Sequence, residues 1–184
     1  MQESEYLKGR MDLIKRFKQL PLLKSLDDVY LKRIMEMSKI RKYIAGETIT
    51  PEGAYDCWFY VLLGGEVKIV KGNDEIARLK NIGDTFGELA VVDGEARSAS
   101  VQAVDTTVCL AVDASSLDRK DMPEHHVFYA VIYRLFAEIV ASRLRAVNEE
   151  LVRLRHENAL LKGETTSADG MAEFALDEGD VVWL

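Results

Sequence analysis

Apolar residues recur at helical spacing near both ends of the chain and form short, glycine-punctuated runs between them. The spacing at the start predicts a helix over residues 3 to 20, which Pro21 ends. A second helix is expected from Asp27 or Asp28 to about Ser38. The recurring apolar positions of the first helix are Leu7, Met11, Ile14 and Phe17.

The pattern changes between Lys39 and Val112, where β-rich runs alternate with glycines. Strands this short, with turns this frequent, are typical of a small sandwich or barrel. The clearest runs are residues 58–63, 67–70 and 108–112. The predicted fold is therefore mainly β with flanking helices, in the α+β class.

Helical spacing returns after the β-rich region. A short helix is expected over residues 115–121 and a long one over residues 123–162, which Gly163 ends. Residues 164–184 hold six acidic side chains and no Lys or Arg, which predicts a mobile acidic tail with an apolar end. The predicted divisions are N-terminal helices (1–38), a β-barrel (39–122), a dimerisation helix (123–162) and the tail (163–184).

Composition narrows the function classes. A net charge of -7 argues against a general nucleic-acid or acidic-membrane surface. Cys57 and Cys109 are isolated, and His125 and His126 are interpreted as surface residues, so no metal site is assigned. No signal peptide and no bilayer-length apolar run are visible, so we expect a cytoplasmic protein with no membrane contact.

The densest chemistry lies between Phe86 and Ser98. Gly87 lets the backbone turn so that the amides of residues 88–90 face inward, which suits an anion. Arg97 adds a planar cation that can grip phosphate oxygens in pairs, and Ser98 adds a hydroxyl at the same rim. The carboxylate at position 88 suits sugar hydroxyls. The alternative is a weak surface Glu–Arg salt bridge.

Several segments together resemble the cyclic nucleotide-binding domain family. The similar segments are residues 20–23, 46–49 with Gly53, 60–67, 83–90 and 97–103. The resemblance implies a double-stranded β-helix, or jelly-roll, barrel. It also implies that Glu88 binds the ribose 2′-hydroxyl, while Arg97 and the amides of Gly87, Leu89 and Ala90 bind the cyclic phosphate. Ala96 stands where many members have proline or a polar residue.

The long helix carries apolar residues in alternating steps of four and three, which is a heptad seam. Asn158 falls at an a position, where an amide fixes register and two-strandedness. In a parallel pair, Glu150 would meet Arg155 and Glu157 would meet Lys162 of the partner. We therefore expect a parallel homodimer. The seam positions are Tyr133, Ala137, Val140, Leu144, Val147, Leu151, Leu154, Asn158 and Leu161.

This combination of barrel and long helix resembles the catabolite activator branch of the family. The resemblance places Val147 and Asn148 where a threonine and a serine contact adenine in the activator. Val147 cannot make such contacts, whereas the Asn148 amide can pair with adenine. A solvated Asn148 is an equally good interpretation. The activator's winged helix-turn-helix has no counterpart after Lys162, so no direct DNA binding is expected.

The resulting prediction is a non-enzymatic sensor with no cofactor, which binds cyclic AMP and signals through its coiled coil to an unidentified protein partner. Cyclic GMP remains an alternative, because a hydroxyl at Ser98 can also contact guanine. Three other readings stay open. They are a similar sensor of a different small effector, a dimeric scaffold with a vestigial pocket, and a regulatory piece of a larger assembly.

Overall fold

The computed structural model describes residues 1–24, 26–115 and 125–161. The predicted short helix over residues 115–121 and the predicted tail after Lys162 lie outside the described residues, apart from position 115. The chain divides into two compact units. Met1–Ile139 is the first, and the residues from Val140 onward form the second.

Nine strands and four α-helices are described, together with one 3-10 turn at Met11–Leu13. The strands are β1 (Gln2–Glu3), β2 (Ser38–Tyr43), β3 (Thr48–Thr50), β4 (Trp58–Gly64), β5 (Val67–Lys71), β6 (Asp74–Leu79), β7 (Thr85–Phe86), β8 (Ser100–Ala103) and β9 (Thr107–Asp113). The helices are α1 (Ile14–Phe17), α2 (Asp28–Glu36), α3 (Glu88–Asp93) and α4 (His125–Leu161).

The strands form two antiparallel sheets. One sheet has the order β1-β2-β9-β4-β7 and the other has the order β3-β8-β5-β6. Side chains alternate along β4, so that Tyr60 and Leu62 enter the core between the sheets while Phe59 and Val61 enter a core under the helices. The predicted class, a β-sandwich with flanking helices and a long C-terminal helix, is confirmed.

The first turns of α4 belong to the helix-side core. Phe128, Ile132 and Phe136 are each 2% exposed. Phe136 meets Phe59 of β4 edge to face, with ring centroids 5.0 Å apart. This part of the long helix therefore packs on its own domain.

The predicted helix over residues 3 to 20 is wrong over most of its length. Gln2–Glu3 is a strand paired with β2, and the amide of Leu7 donates to the Ser38 carbonyl at 2.9 Å. Gly9 has a φ of +74°, which a right-handed helix cannot accommodate. Only Ile14–Phe17 is α-helical. Strand pairing satisfied the backbone here, although the apolar spacing favoured a helix.

The second predicted helix is confirmed but ends earlier than expected. It runs over Asp28–Glu36, and β2 begins at Ser38. The Ser38 hydroxyl is fully buried and donates to the Ile34 carbonyl at 2.6 Å, so it closes the helix rather than extending it.

Candidate functional site

The turn between β7 and α3 is built on Gly87. This residue has φ +83° and ψ 4°, in the left-handed region, and α3 begins at the next residue. A Cβ at position 87 would lie 2.6 Å from Nη1 of Arg97 and 3.1 Å from the Trp58 carbonyl oxygen. Both the backbone conformation and the space therefore require glycine. A helical turn thus follows Gly87 directly, and its first amides lack acceptors within the helix.

The backbone of Arg97 is held by two hydrogen bonds to the loop before β4. Its amide donates to the Ala54 carbonyl and its carbonyl accepts from the Gly53 amide, both at 2.9 Å. The residue is 4% exposed. The guanidinium Nη1 donates to the Gly87 carbonyl at 2.6 Å. The cation is thus held directly beside the glycine turn.

Asp56 is a residue of this site that the sequence analysis missed. Nε of Arg97 donates to Asp56 Oδ2 at 3.2 Å, and Nη2 donates both to Asp56 Oδ1 and to the Trp58 carbonyl. The arginine fork, expected to face a phosphate, is thus engaged by a carboxylate of the same chain. Asp56 lies 41 positions before Arg97, and no local pattern links the two.

Glu88 is the first residue of α3 and is 1% exposed. Because Glu88 and Arg97 are both buried, the alternative of a solvated surface pair is wrong. A carboxylate at this position can accept hydrogen bonds from sugar hydroxyls, since hydroxyls donate to a carboxylate.

The other predicted site residues of this loop lie nearer the surface. Leu89 is 43% exposed, Ala90 is half-buried and Ser98 is exposed. The Ser98 carbonyl accepts from Nζ of Lys71 at 2.5 Å, and Lys71 also pairs with Glu52 at 3.1 Å. Among the predicted loop residues, Arg97 and Gly87 are in direct contact through their hydrogen bond, whereas Leu89 and Ser98 face the surface.

Asn148 belongs to the second unit and is an exposed residue of α4. In this single chain it is solvated, as one of the two interpretations expects. Its predicted contact with a base in a partner's pocket stays a prediction.

Aromatic side chains line the inner face of β4 next to the turn. Tyr60 stacks on Phe86 with centroids 4.9 Å apart and an interplanar angle of 7°. The Arg41 guanidinium carbon lies 3.9 Å from the Trp58 ring centroid, and Nη1 of Arg41 donates to the Tyr60 hydroxyl at 3.0 Å. Burial raises the pKa of Tyr60, so its hydroxyl stays neutral and can accept this bond.

The segment that contains the Gly87 turn and Arg97 is similar in sequence to known proteins. Residues 40–120 match the cyclic nucleotide-binding domain family. The match includes the glycine turn, Glu88 and Arg97.

Two individual relatives are similar to this chain in sequence. The chain is 37% identical over 101 residues to a cGMP-dependent protein kinase of Plasmodium berghei, covering 53% of this chain and 11% of the relative. It is 41% identical over 86 residues to a cAMP-dependent protein kinase regulatory subunit of Aspergillus fumigatus, covering 46% of this chain and 21% of the relative. The chain thus spans a small part of both curated relatives.

A solved structure extends the likeness beyond the barrel. The catabolite activator protein of Thermus thermophilus superposes with a TM-score of 0.57 and 28% identity, over 76% of this chain and 65% of the other. In the described ranges, no three His, Cys, Asp or Glu side chains are grouped to hold a metal ion. None of the described helices is long and apolar enough to cross a membrane.

Proposed function

We propose that the chain is a non-enzymatic sensor that binds a cyclic nucleotide at the Gly87 turn, with cyclic AMP as the preferred ligand. The observation that carries the proposal is the buried guanidinium of Arg97, 2.6 Å from the Gly87 carbonyl, beside a carboxylate that is 1% exposed. One cation and one anion at a glycine-opened helix start match a ligand with a phosphate and an adjacent hydroxyl.

The phosphate would occupy the first amides of α3 and take hydrogen bonds from Arg97. That guanidinium already makes four hydrogen bonds, two of them to Asp56. The phosphate must therefore share Arg97 with Asp56 or displace it. Displacement of Asp56 would let the guanidinium shift, and the Gly87 turn would move with it relative to β4, because Trp58 and Gly87 hold the same guanidinium. This is the input step of the proposed switch.

A dimer through α4 would carry the signal. Seam residues in the second unit are strongly exposed in the single chain: Leu144 59%, Val147 62%, Leu151 44% and Leu154 48%. Apolar side chains at heptad spacing are stable in water when a second helix covers them. Within one helix, Arg153 pairs with Glu150 at 2.6 Å and with Glu157 at 3.9 Å. These two glutamates are the ones expected to pair across the dimer, so the dimer must exchange those bonds.

The oligomeric state tests this part directly. Light scattering should give a dimer for the unmodified chain and a monomer for Leu151→Glu, since a charge would enter the seam. Val152→Glu is the matched control, because Val152 is 67% exposed and lies one position outside the seam. An unmodified monomer, or equal effects of both substitutions, would contradict the parallel coiled coil.

The base and the partner follow from the same proposal. An amide at Asn148 of the second protomer could accept from N6 and donate to N7 of adenine, which favours cyclic AMP. The exposed hydroxyl of Ser98 leaves cyclic GMP as the alternative base. An unidentified protein would read the helix, as the resemblance to the catabolite activator branch suggests.

Calorimetry with substituted proteins tests the phosphate site. Arg97→Ala should weaken binding by on the order of 2–4 kcal/mol, roughly 30- to 900-fold, because it removes a buried charge partner. Arg78→Ala is the control, since Arg78 of β6 is half exposed and pairs with Glu75 of β6 and with Glu66 in the turn before β5. Unchanged affinity in Arg97→Ala would remove the phosphate role from this residue.

A second candidate function is a dimeric scaffold whose pocket no longer binds nucleotide. The occupation of the Arg97 fork by Asp56 favours it, because the site is electrostatically satisfied without a ligand. The calorimetry separates the two functions, since a scaffold would show no heat with either cyclic nucleotide.

A further inference from the structure

Arg41 of β2 is a charged residue with a largely buried side chain that the proposed ligand contacts do not use. Its side chain is 13% exposed. Its guanidinium carbon lies over the Trp58 ring, 3.9 Å from the ring centroid. Its Nη1 donates to the Tyr60 hydroxyl at 3.0 Å. Its Nε donates to Glu3 of β1 at 3.0 Å. One guanidinium thus joins three elements of the first unit.

The two aromatic residues that Arg41 touches contact two different parts of the proposed nucleotide site. The carbonyl of Trp58 accepts from Nη2 of Arg97. Tyr60 is paired with Phe86 across β4 and β7 and stacks on its ring, and Phe86 directly precedes Gly87. Arg41 therefore contacts Trp58, which binds Arg97, and Tyr60, which packs on the residue before Gly87.

A guanidinium is suited to this double role. Its plane stacks on an aromatic face while its N–H groups point outward in the same plane toward a hydroxyl and a carboxylate. An ammonium is a compact point charge and cannot cover the ring and keep both in-plane bonds. The Glu3 pair alone would contribute little, because Glu3 is one-third exposed and also binds Lys39 at 2.7 Å.

We infer that Arg41 is a positioning residue of the nucleotide site. It fixes Trp58 and Tyr60, and through them the Arg97 guanidinium and the Gly87 turn, while Glu3 ties it to the N-terminal strand. The inference rests on the proposed function, because its consequence is a change in cyclic nucleotide affinity. It adds a role for β1 and β2, which carry none of the proposed ligand contacts.

The experiment compares Arg41→Met, Arg41→Lys and the control Lys42→Met, in a Trp183→Phe background that leaves Trp58 as the single tryptophan. Lys42 is adjacent but exposed and lies on the other face of β2. Calorimetry with cyclic AMP and cyclic GMP measures affinity, and ligand-free fluorescence measures the surroundings of Trp58. All samples are compared below their melting transitions.

Positioning predicts that Arg41→Met binds at least fivefold more weakly and that its Trp58 emission shifts. Arg41→Lys should resemble Arg41→Met, whereas Lys42→Met should resemble the parent. Full rescue by lysine would overturn the inference in favour of a purely electrostatic role. A lower melting temperature with unchanged affinity would overturn it in favour of a structural role.

Three further outcomes decide the inference. If Arg41→Met does not fold, Arg41→Lys carries the test, and a parent-like affinity of Arg41→Lys would refute the positioning role. If the parent binds neither nucleotide, the proposed function fails and takes this inference with it. If the parent binds and Arg41→Met binds equally well, only the inference fails.

Discussion

Replacement of Gly87 by alanine, compared with the same change at Gly94, separates backbone strain from damage to the site. The two glycines cap opposite ends of α3, and both have positive φ, +83° and +70°. An L-residue in this region costs about 1–2 kcal/mol. Both variants should therefore lose this much free energy of unfolding.

Only Gly87→Ala adds a collision. The new Cβ would lie 2.6 Å from Nη1 of Arg97, whereas a Cβ at position 94 meets no atom within 4 Å. Arg97 is 4% exposed and is held by Asp56 and by the Trp58 carbonyl, so its movement breaks at least one charged hydrogen bond. That loss is about 1.5–3 kcal/mol. Gly87→Ala should therefore destabilise the chain by roughly 2.5–5 kcal/mol in total.

Thermal unfolding measures the stability of each variant, and calorimetric titration measures its affinity for the cyclic nucleotide. For a chain of 184 residues, each kcal/mol lowers the melting temperature by about 2–4 °C, so the two variants should differ measurably. Cyclic nucleotide affinity should fall at least tenfold in Gly87→Ala and stay within about twofold of the parent in Gly94→Ala. Equal stability losses with equal affinities would show that the Gly87–Arg97 contact does not shape the site.

Three further predictions concern charge, thiol chemistry and register. Asp56→Asn should lower stability by about 1.5–3 kcal/mol, because Arg97 loses its charged partner, yet bind cyclic nucleotide more tightly; weaker binding in calorimetry would contradict the proposed competition. At about pH 8, an alkylating reagent should modify exposed Cys57 and leave Cys109 unmodified until the chain unfolds. The reason is that burial raises the pKa of the Cys109 thiol to about 12. Mass spectrometry that finds both cysteines modified in the folded chain would refute this. Asn158→Ile should change the oligomer size or strand register of the dimer, and a parent-like mass and cross-linking pattern would argue against an a position.

The barrel and the loop were predictable from the sequence because both depend on local signals. The continuous apolar run over residues 58–63 predicts a strand with two buried faces, and β4 forms there. Gly87 predicts a turn before α3, because glycine adopts positive φ without strain. The helix beyond Val140 was likewise predictable from apolar residues in steps of four and three, while its pairing as a coiled coil stays a prediction.

The remaining features depend on partners distant in the chain. Residues 2–3 form β1 only because the β2 edge, some 38 positions later, accepts their backbone groups. The Asp56 bond to Arg97 and the Arg41 stack on Trp58 likewise join separate strands. Helical spacing in the first 20 residues favoured a helix, and tertiary pairing overrode that preference.

Calorimetric titration of the unmodified chain with cyclic AMP and cyclic GMP, with 5′-AMP as the open-phosphate control, tests the central claim most directly. The account predicts saturable binding of one cyclic nucleotide per protomer, with cyclic AMP the tighter ligand and 5′-AMP much weaker. Absence of binding by both cyclic nucleotides at about 1 mM, a binding free energy weaker than roughly -4 kcal/mol, would contradict it.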